Sequence, residues 1–470
     1  MTEYGNIIKV RDDYKPTYFK KSSDVIEAES TISKNNQKVK FIPDPQSEAP
    51  WLNGSKEFNH KDLRSRIEPW LTALFQSEHL SLLAGAGITH AIHYIAVNAS
   101  AAGMSKLDLE TYGEEIDEAA KKSSEASGRE EGNIEDQLRV ANELLRGLEV
   151  LNDDKASALK EELEKGLQKF ADSILKSEQG IATAQEHNRE LAFNTLVTFL
   201  MSFASRTGVR DRLNIFTTNY DRLLETGAEI AGIHLIDRFI GSISPIFRSS
   251  RLDIDLHYNP PGIRGEPRYL EGVVRFSKLH GSIDWLQYGN DIRRLGLPFG
   301  ASSVMPYLDV AGFPDMTAHK MMIFPNAAKD QETANYPYVE LFRDLASAVC
   351  RPNSTLVTYG YSFGDEHINR VIRDMLTIPS THLVIISFDD PLGRIMKLYD
   401  EWGRHSQISL LIGPELADIK NLTQYYLPKA AIDKTTSRMT ELLKQRLPNV
   451  KEEKPSDVEL DSIGPVMRSS

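Results

Sequence analysis

Cysteine is almost missing from this chain of 470 residues, where Cys350 stands alone. One thiol excludes an internal disulfide and any zinc site built from the cysteines of a single chain, and it fits a reducing cytoplasm. Long apolar runs are scarce too. The longest, Leu191–Ala204 (LAFNTLVTFLMSFA), is too short to span a bilayer and reads as a buried helix. The opening stretch, MTEYGNIIKVRDDYK, has no apolar core of the kind a secretory signal needs. Basic residues are in deficit, 55 Lys and Arg against 67 Asp and Glu, and the net charge is −12. That balance argues against a protein that holds nucleic acid through its overall field. The expectation is a soluble, cytoplasmic protein with no membrane contact and no direct nucleic-acid binding.

What is present alternates. Residues 1–66 form a polar N-terminal arm with strand-like fragments such as Lys38–Ile42; it is either disordered or ordered by a partner. Helical spacing begins near Leu63. From Met104 to Gly180 the composition turns to Glu, Lys, Ala and Leu with charge pairs at helical spacing, broken at Gly128 and at Asn152-Asp153. This reads as a helical insertion, 104–180, whose charged face is solvated or docks a subunit. Strand-like segments follow at Asn214–Thr218, Ile233–Ile236, Val273–Leu279, Met321–Phe324, Thr355–Tyr359, Leu383–Phe388 and Ile408–Ile412. Helical stretches at Val339–Val349 and His367–Leu376 separate several of them. That alternation predicts an α/β fold with a doubly wound, mostly parallel, Rossmann-like sheet. Residues 238–272 are a long polar excursion of the kind that forms lids. A C-terminal helix, Ile432–Arg446, and a charged tail occupy the end of the segment 416–470.

Four strand ends carry loaded loops, and in parallel sheets ligands bind outside the carboxyl ends of strands. In NIFTTNYD (Asn214–Asp221), Thr218, Asn219 and Asp221 offer hydroxyl, amide and carboxylate; the same letters also make an ordinary turn. In HLSLLAGAGIT (His79–Thr89), Gly85, Ala86 and Gly87 read as a tight turn into a helix starting near Thr89. Glycines there let a backbone approach a diphosphate at a helix N-terminus, although His90 replaces the third glycine of the usual fingerprint. His280 in KLHGS ends a strand beside a glycine, and imidazole exchanges protons near neutrality. In TLVTYGYSFGDEHIN, Gly360 and Ser362 read as a second ligand edge and Asp365 as a helix cap. Ser387, Asp389 and Asp390 close a later strand, where an adenosine ribose would lie.

Together, AGAGIT, TTNYD, KLHGS and YGYSF resemble the sirtuin NAD-binding domain over residues 67–415, and are most similar to the divergent sirtuin-like proteins of bacterial anti-phage systems. The resemblance implies that Gly85, Ala86, Gly87, Thr89, Thr218, Gly360 and Ser362 contact NAD. It further implies that Asn219 and Asp221 hold the nicotinamide ribose and a water, and that His280 is the general base. Two departures from protein deacylases stand out. The four-cysteine zinc module is absent, and HAIHYIAVNASAAG replaces the arginine-bearing segment that usually follows the glycine loop. Without that module an acyl-lysine loses most of its channel wall, which favours cleavage of NAD by water. No metal is required for that task, and NAD enters as substrate.

Three readings therefore stand: an NAD glycohydrolase that depletes the cofactor during infection, an NAD-dependent protein deacylase, and a non-enzymatic subunit binding NAD or ADP-ribose. The resemblance also implies a homo-oligomer working beside a HerA-like hexameric ATPase.

Overall fold

The computed structural model describes residues 5–22, 39–47, 49–102, 106–126, 132, 134–206, 210–250, 254–258, 268–310 and 336–429. Ten strands form the main sheet. In chain order they are β1 (Asn6–Lys9), β2 (Thr17–Lys21), β3 (Phe41–Pro43), β4 (His79–Ala84), β5 (Leu213–Thr217), β6 (His234–Ile236), β7 (Val273–Lys278), β8 (Ser354–Tyr359), β9 (His382–Ser387) and β10 (Ile408–Ile412). Across the sheet the order is β3-β2-β1-β10-β9-β8-β4-β5-β7-β6. The seven strands from β10 to β6 are parallel, and β1, β2 and β3 run antiparallel along the β10 edge. The fold is α/β, doubly wound and Rossmann-like.

Alternation along the strands explains why both faces are covered. Val384 and Ile386 of β9 enter one apolar cluster, while Leu383 and Ile385 enter the other. A strand buried on both faces must be apolar at nearly every position, which is why LVII and LLI carry no polar alternation. The first cluster packs α1 (His60–Phe75), α2 (Ala86–Val97), α6 (Glu186–Ala204) and α7 (Leu223–Ile230) on the sheet. The second packs α8 (Tyr338–Val349), α9 (Glu366–Met375) and α10 (Arg394–Trp402). Helix α1 starts where the sequence supplies a capping box: Asn59 Oδ1 accepts from Lys61 N and Asp62 N, and Asp62 Oδ2 accepts from Asn59 N.

The insertion comprises α3 (Gly113–Ala126), α4 (Ile134–Leu151) and α5 (Lys155–Ala182). Leu138, Ala141, Leu145 and Leu148 repeat at helical spacing and form a third cluster with Leu159, Leu163 and Leu167. Tyr220 and Ile283 from the strand-end loops belong to that same cluster. The insertion is thus solvated on one side only and is anchored on the sheet's loops by the other.

Several expectations need correction. The described parts of residues 1–66 are neither a disordered arm nor one awaiting a partner: Ile8, Val10, Phe19 and Phe41 are fully buried in the first cluster. Alternating burial in β2 (Tyr18 and Lys20 half-buried, Phe19 inside) was hidden under a polar composition. The core also runs beyond residue 415, since Leu416, Ile419, Leu422 and Leu427 are buried in it, and the first compact unit spans Met1–Pro428. Strands Phe239–Ile240 and Ile246–Phe247 of the 238–272 excursion join Trp285–Tyr288 and Asp291–Arg294 in a small antiparallel sheet, while residues 251–253 and 259–267 of it lie outside the described residues. Met321–Phe324 and Ile432–Arg446 lie outside the described residues. Among the described residues, no helix is long and apolar enough to cross a membrane.

Candidate active site

Strand order reverses between β4 and β8. From β4 the chain goes one way to β5, β6 and β7, and later returns to add β8, β9 and β10 on the other side. A strand-order switch of this kind is where α/β sheets bind ligands, outside the carboxyl ends of the strands. A cavity of about 350 Å³ lies there. Its lining includes Gly85, Ala86, Thr89, Thr218, Asn219, Asp221, His280, Gly360 and Ser362, which the sequence had singled out separately. Gly87 does not line it.

Gly87 has another task. Helix α2 begins at Ala86, three residues before the expected start, so Gly85 is its N-cap and Gly87 lies in its first turn. A Cβ on Gly87 would come 2.5 Å from Gly360 Cα, and one on Gly85 would come 2.4 Å from the Gly360 carbonyl oxygen. Gly360 itself has φ +59°. Gly87 N donates to the Gly360 carbonyl at 3.0 Å, locking the β4 and β8 turns together. The glycines therefore let two backbones cross. Ala86 in the first turn of α2 lines the cavity, as do Ser362 and Arg394. These groups suit a diphosphate.

The amide of Asn219 has a fixed orientation. Asp221 Oδ2 accepts from the Thr89 hydroxyl at 2.7 Å, so Thr89 Oγ1 must in turn accept from Asn219 Nδ2, at 3.0 Å. The second Nδ2 proton goes to the Gly85 carbonyl at 3.1 Å. Both donors are committed, and Oδ1 is the atom left for a ligand. Asp221 Oδ1 meanwhile accepts from Leu223 N at 3.0 Å. Both Asp221 oxygens are thus engaged, and its carboxylate acts on the site through Thr89 and Asn219.

His280 Nε2 lies 2.8 Å from Asp365 Oδ2, and Asp365 Oδ1 accepts from His367 N at the start of α9. The helix-cap reading of Asp365 holds, but it left out half the residue's work. A carboxylate only accepts, so Nε2 carries the proton and Nδ1 of the neutral imidazole keeps its lone pair for a base. Tyr361, buried, braces this loop: its single hydroxyl proton is shared between the Asp365 carbonyl at 3.2 Å and Asn369 Oδ1 at 3.1 Å. His90, where a third glycine was expected, also lines the cavity, and burial together with neighbouring His93 pushes its pKa down.

Below the cavity, Lys278 Nζ donates to the Tyr220 and Asp221 carbonyls and pairs with Glu225 at 2.9 Å. Glu178 of α5 accepts from Arg222 N at 2.8 Å and pairs with its guanidinium, tying the insertion to the 218–222 loop. Sequence reasoning missed Glu135, Phe170, Ile174 and Arg394, all of which line the cavity. The first three lie on the insertion, which the sequence showed only as a charged face, solvated or docking a subunit. Their contact with the loop depends on a tertiary approach that no local pattern encodes. Ser387, Asp389 and Asp390 are not among the lining residues; Asp390 instead accepts from Ile395 N and Met396 N at the start of α10.

Compared with known families, residues 213–405 match the SIR2-like domain, and no curated protein matches the chain. The matched stretch contains Asn219, Asp221, His280, Gly360, Ser362, Asp365 and Arg394, while the Gly85–Thr89 turn precedes it. SIR2-like domains are in general NAD-dependent, and the match supports a sirtuin-like family for the part of the chain that carries the Asn219 and His280 loops.

Proposed function

We propose that this chain is an NAD glycohydrolase that releases nicotinamide and ADP-ribose, using water as the acceptor. The observation that carries this reading is the convergence of Asn219 Oδ1 and the Asp365-oriented His280 on one cavity at the switch point of the sheet. Nicotinamide is already a good leaving group, so the protein has only to orient the ribose, stabilise the charge that develops on it and deliver water. Asn219 Oδ1 accepts from a ribose hydroxyl or from the water. His280 Nδ1 takes the water's proton as the bond to C1′ forms. The N-terminus of α2, Ser362 and Arg394 receive the diphosphate.

Hydrolysis is favoured over deacylation because α4 and α5 stand against the catalytic loop and supply Glu135, Phe170 and Ile174 to the cavity. Those side chains take up space next to the reacting end. In keeping with the resemblance to anti-phage proteins, the activity would deplete NAD on infection, in a homo-oligomer controlled by a HerA-like ATPase.

The test is nicotinamide release from NAD by the purified chain, alone and with a co-expressed ATPase, without acyl peptide. Asn219→Ala and His280→Ala should each reduce it by at least about 100-fold with the fold intact. Release only in the presence of an acyl-lysine peptide would assign the chain to deacylation. NAD binding without turnover in either preparation would make it a binding subunit.

A further inference from the structure

Glu135 stands in the first turn of α4, where aligned peptide dipoles favour a negative charge. Its residue exposure is only 6%, yet it lines the same cavity as Asn219 and His280. Glu135 Oε1 accepts from Tyr220 Oη at 3.3 Å. Tyr220 is in turn held edge-on by Phe170, ring centroids 5.9 Å apart, and lies 6.3 Å from the His280 ring. The insertion therefore brings a carboxylate to the reacting end of the cavity from outside the sheet. Asp221, the carboxylate on the sheet side, has both oxygens engaged by Thr89 and Leu223.

We propose that Glu135 is a catalytic residue supplied by the insertion, its carboxylate facing the ribose and stabilising the positive charge formed as the glycosidic bond breaks. The proposal rests on the NAD-cleavage reading above. In that step the C1′–N bond breaks and its electron pair leaves with nicotinamide, which becomes neutral. The ribose is left with oxocarbenium-like charge. Water's oxygen then bonds to C1′, and its proton passes to His280 Nδ1 and on to solvent. Glu135 exchanges no proton in this sequence. In bound NAD the positive charge sits on the nicotinamide ring, and in the transition state on the ribose. A carboxylate fixed beside the ribose therefore favours the transition state over the ground state.

Glu135→Gln keeps the shape and the acceptor for Tyr220 but removes the charge. The expected result is a fall in kcat for nicotinamide release of about 100-fold, with KM within about threefold of wild type. The melting temperature should fall only slightly, by the loss of one charge favoured at the helix start. Glu135→Asp should recover part of the rate. Tyr220→Phe tests whether Glu135 acts only by holding Tyr220, and should lose far less activity than Glu135→Gln. Equal losses in Glu135→Gln and Tyr220→Phe would overturn the proposal, as would a Glu135→Gln enzyme with wild-type kcat or one defective only in KM or melting. Absence of release by the wild-type chain would instead bring down the glycohydrolase reading itself, and this proposal with it.

Discussion

Asp365 divides its oxygens between a helix and a histidine, and the two tasks respond differently to substitution. In Asp365→Asn, Oδ1 can still cap α9 by accepting from His367 N, because asparagine caps as well as aspartate. The remaining amide nitrogen would then face His280 Nε2, where a proton acceptor stood before. Nε2 must become the acceptor, the ring proton moves to Nδ1, and the base is lost. Turnover should fall by roughly 100-fold or more while stability changes by less than about 0.5 kcal/mol. Steady-state kinetics beside a denaturation curve check both, and full activity in Asp365→Asn would remove the tautomer argument. The residues on the strand ends were legible because polar letters directly after an apolar run are conspicuous. The tautomer was not, since His280 and Asp365 are 85 positions apart in the chain.

At the scale of elements, the glycine turns and the buried histidines make separate predictions. Gly87→Ala places a methyl 2.5 Å from Gly360 Cα, backbone against backbone, with no flexible side chain to give way. Overpacking of this kind costs roughly 1–3 kcal/mol, so the melting temperature should drop whether or not NAD is present. If the glycine served only to admit a diphosphate, the apo protein would melt as wild type does. The sequence showed that a tight turn was needed at GAG; that its neighbour is another turn rather than a ligand follows only from the strand order. Burial holds His60 and His382 each at a pKa of about 4, against 6.5 for an open imidazole, with Lys21 and Lys9 respectively lowering them further. The unfolded chain binds these protons first as the pH falls. Stability should therefore be level above pH 6.5 and decline between 6.5 and 4, by about 1.4 kcal/mol per pH unit for each histidine. Melts across that range test it, and in His60→Asn the slope should ease by about one proton's worth; an unchanged slope would show that His60 does not contribute.

For the whole molecule, the question is what residues 5–22 hold together. A polar arm at the start of such a chain invites the idea that it serves assembly, and a homo-oligomer with an ATPase partner remains our proposal. The arm is also woven into its own chain. Strand β1 pairs with β10 from Ile7–Ile412 to Lys9–Leu410, and Lys9 Nζ donates to the carbonyls of His405 and Ile408. Asn6 Oδ1 accepts from Glu415 N, fastening the start of the next helix. Phe19 meets Phe41 and Phe58 with ring centroids 5.3 and 5.2 Å apart. Removing residues 1–22 would strip β1 and β2 from the sheet, leave β10 as an open edge and unpair that aromatic cluster. Loss of one buried phenylalanine alone costs about 3–5 kcal/mol, a large part of the 5–15 kcal/mol that holds a domain together. The truncated chain should consequently be insoluble or melt far below the full chain, and an exposed strand edge should make it aggregate. Phe19→Ala is the milder test, with a loss of several kcal/mol expected in chemical denaturation. A truncated protein that melts like the full chain and differs only in its mass in solution would show that the arm belongs to assembly after all.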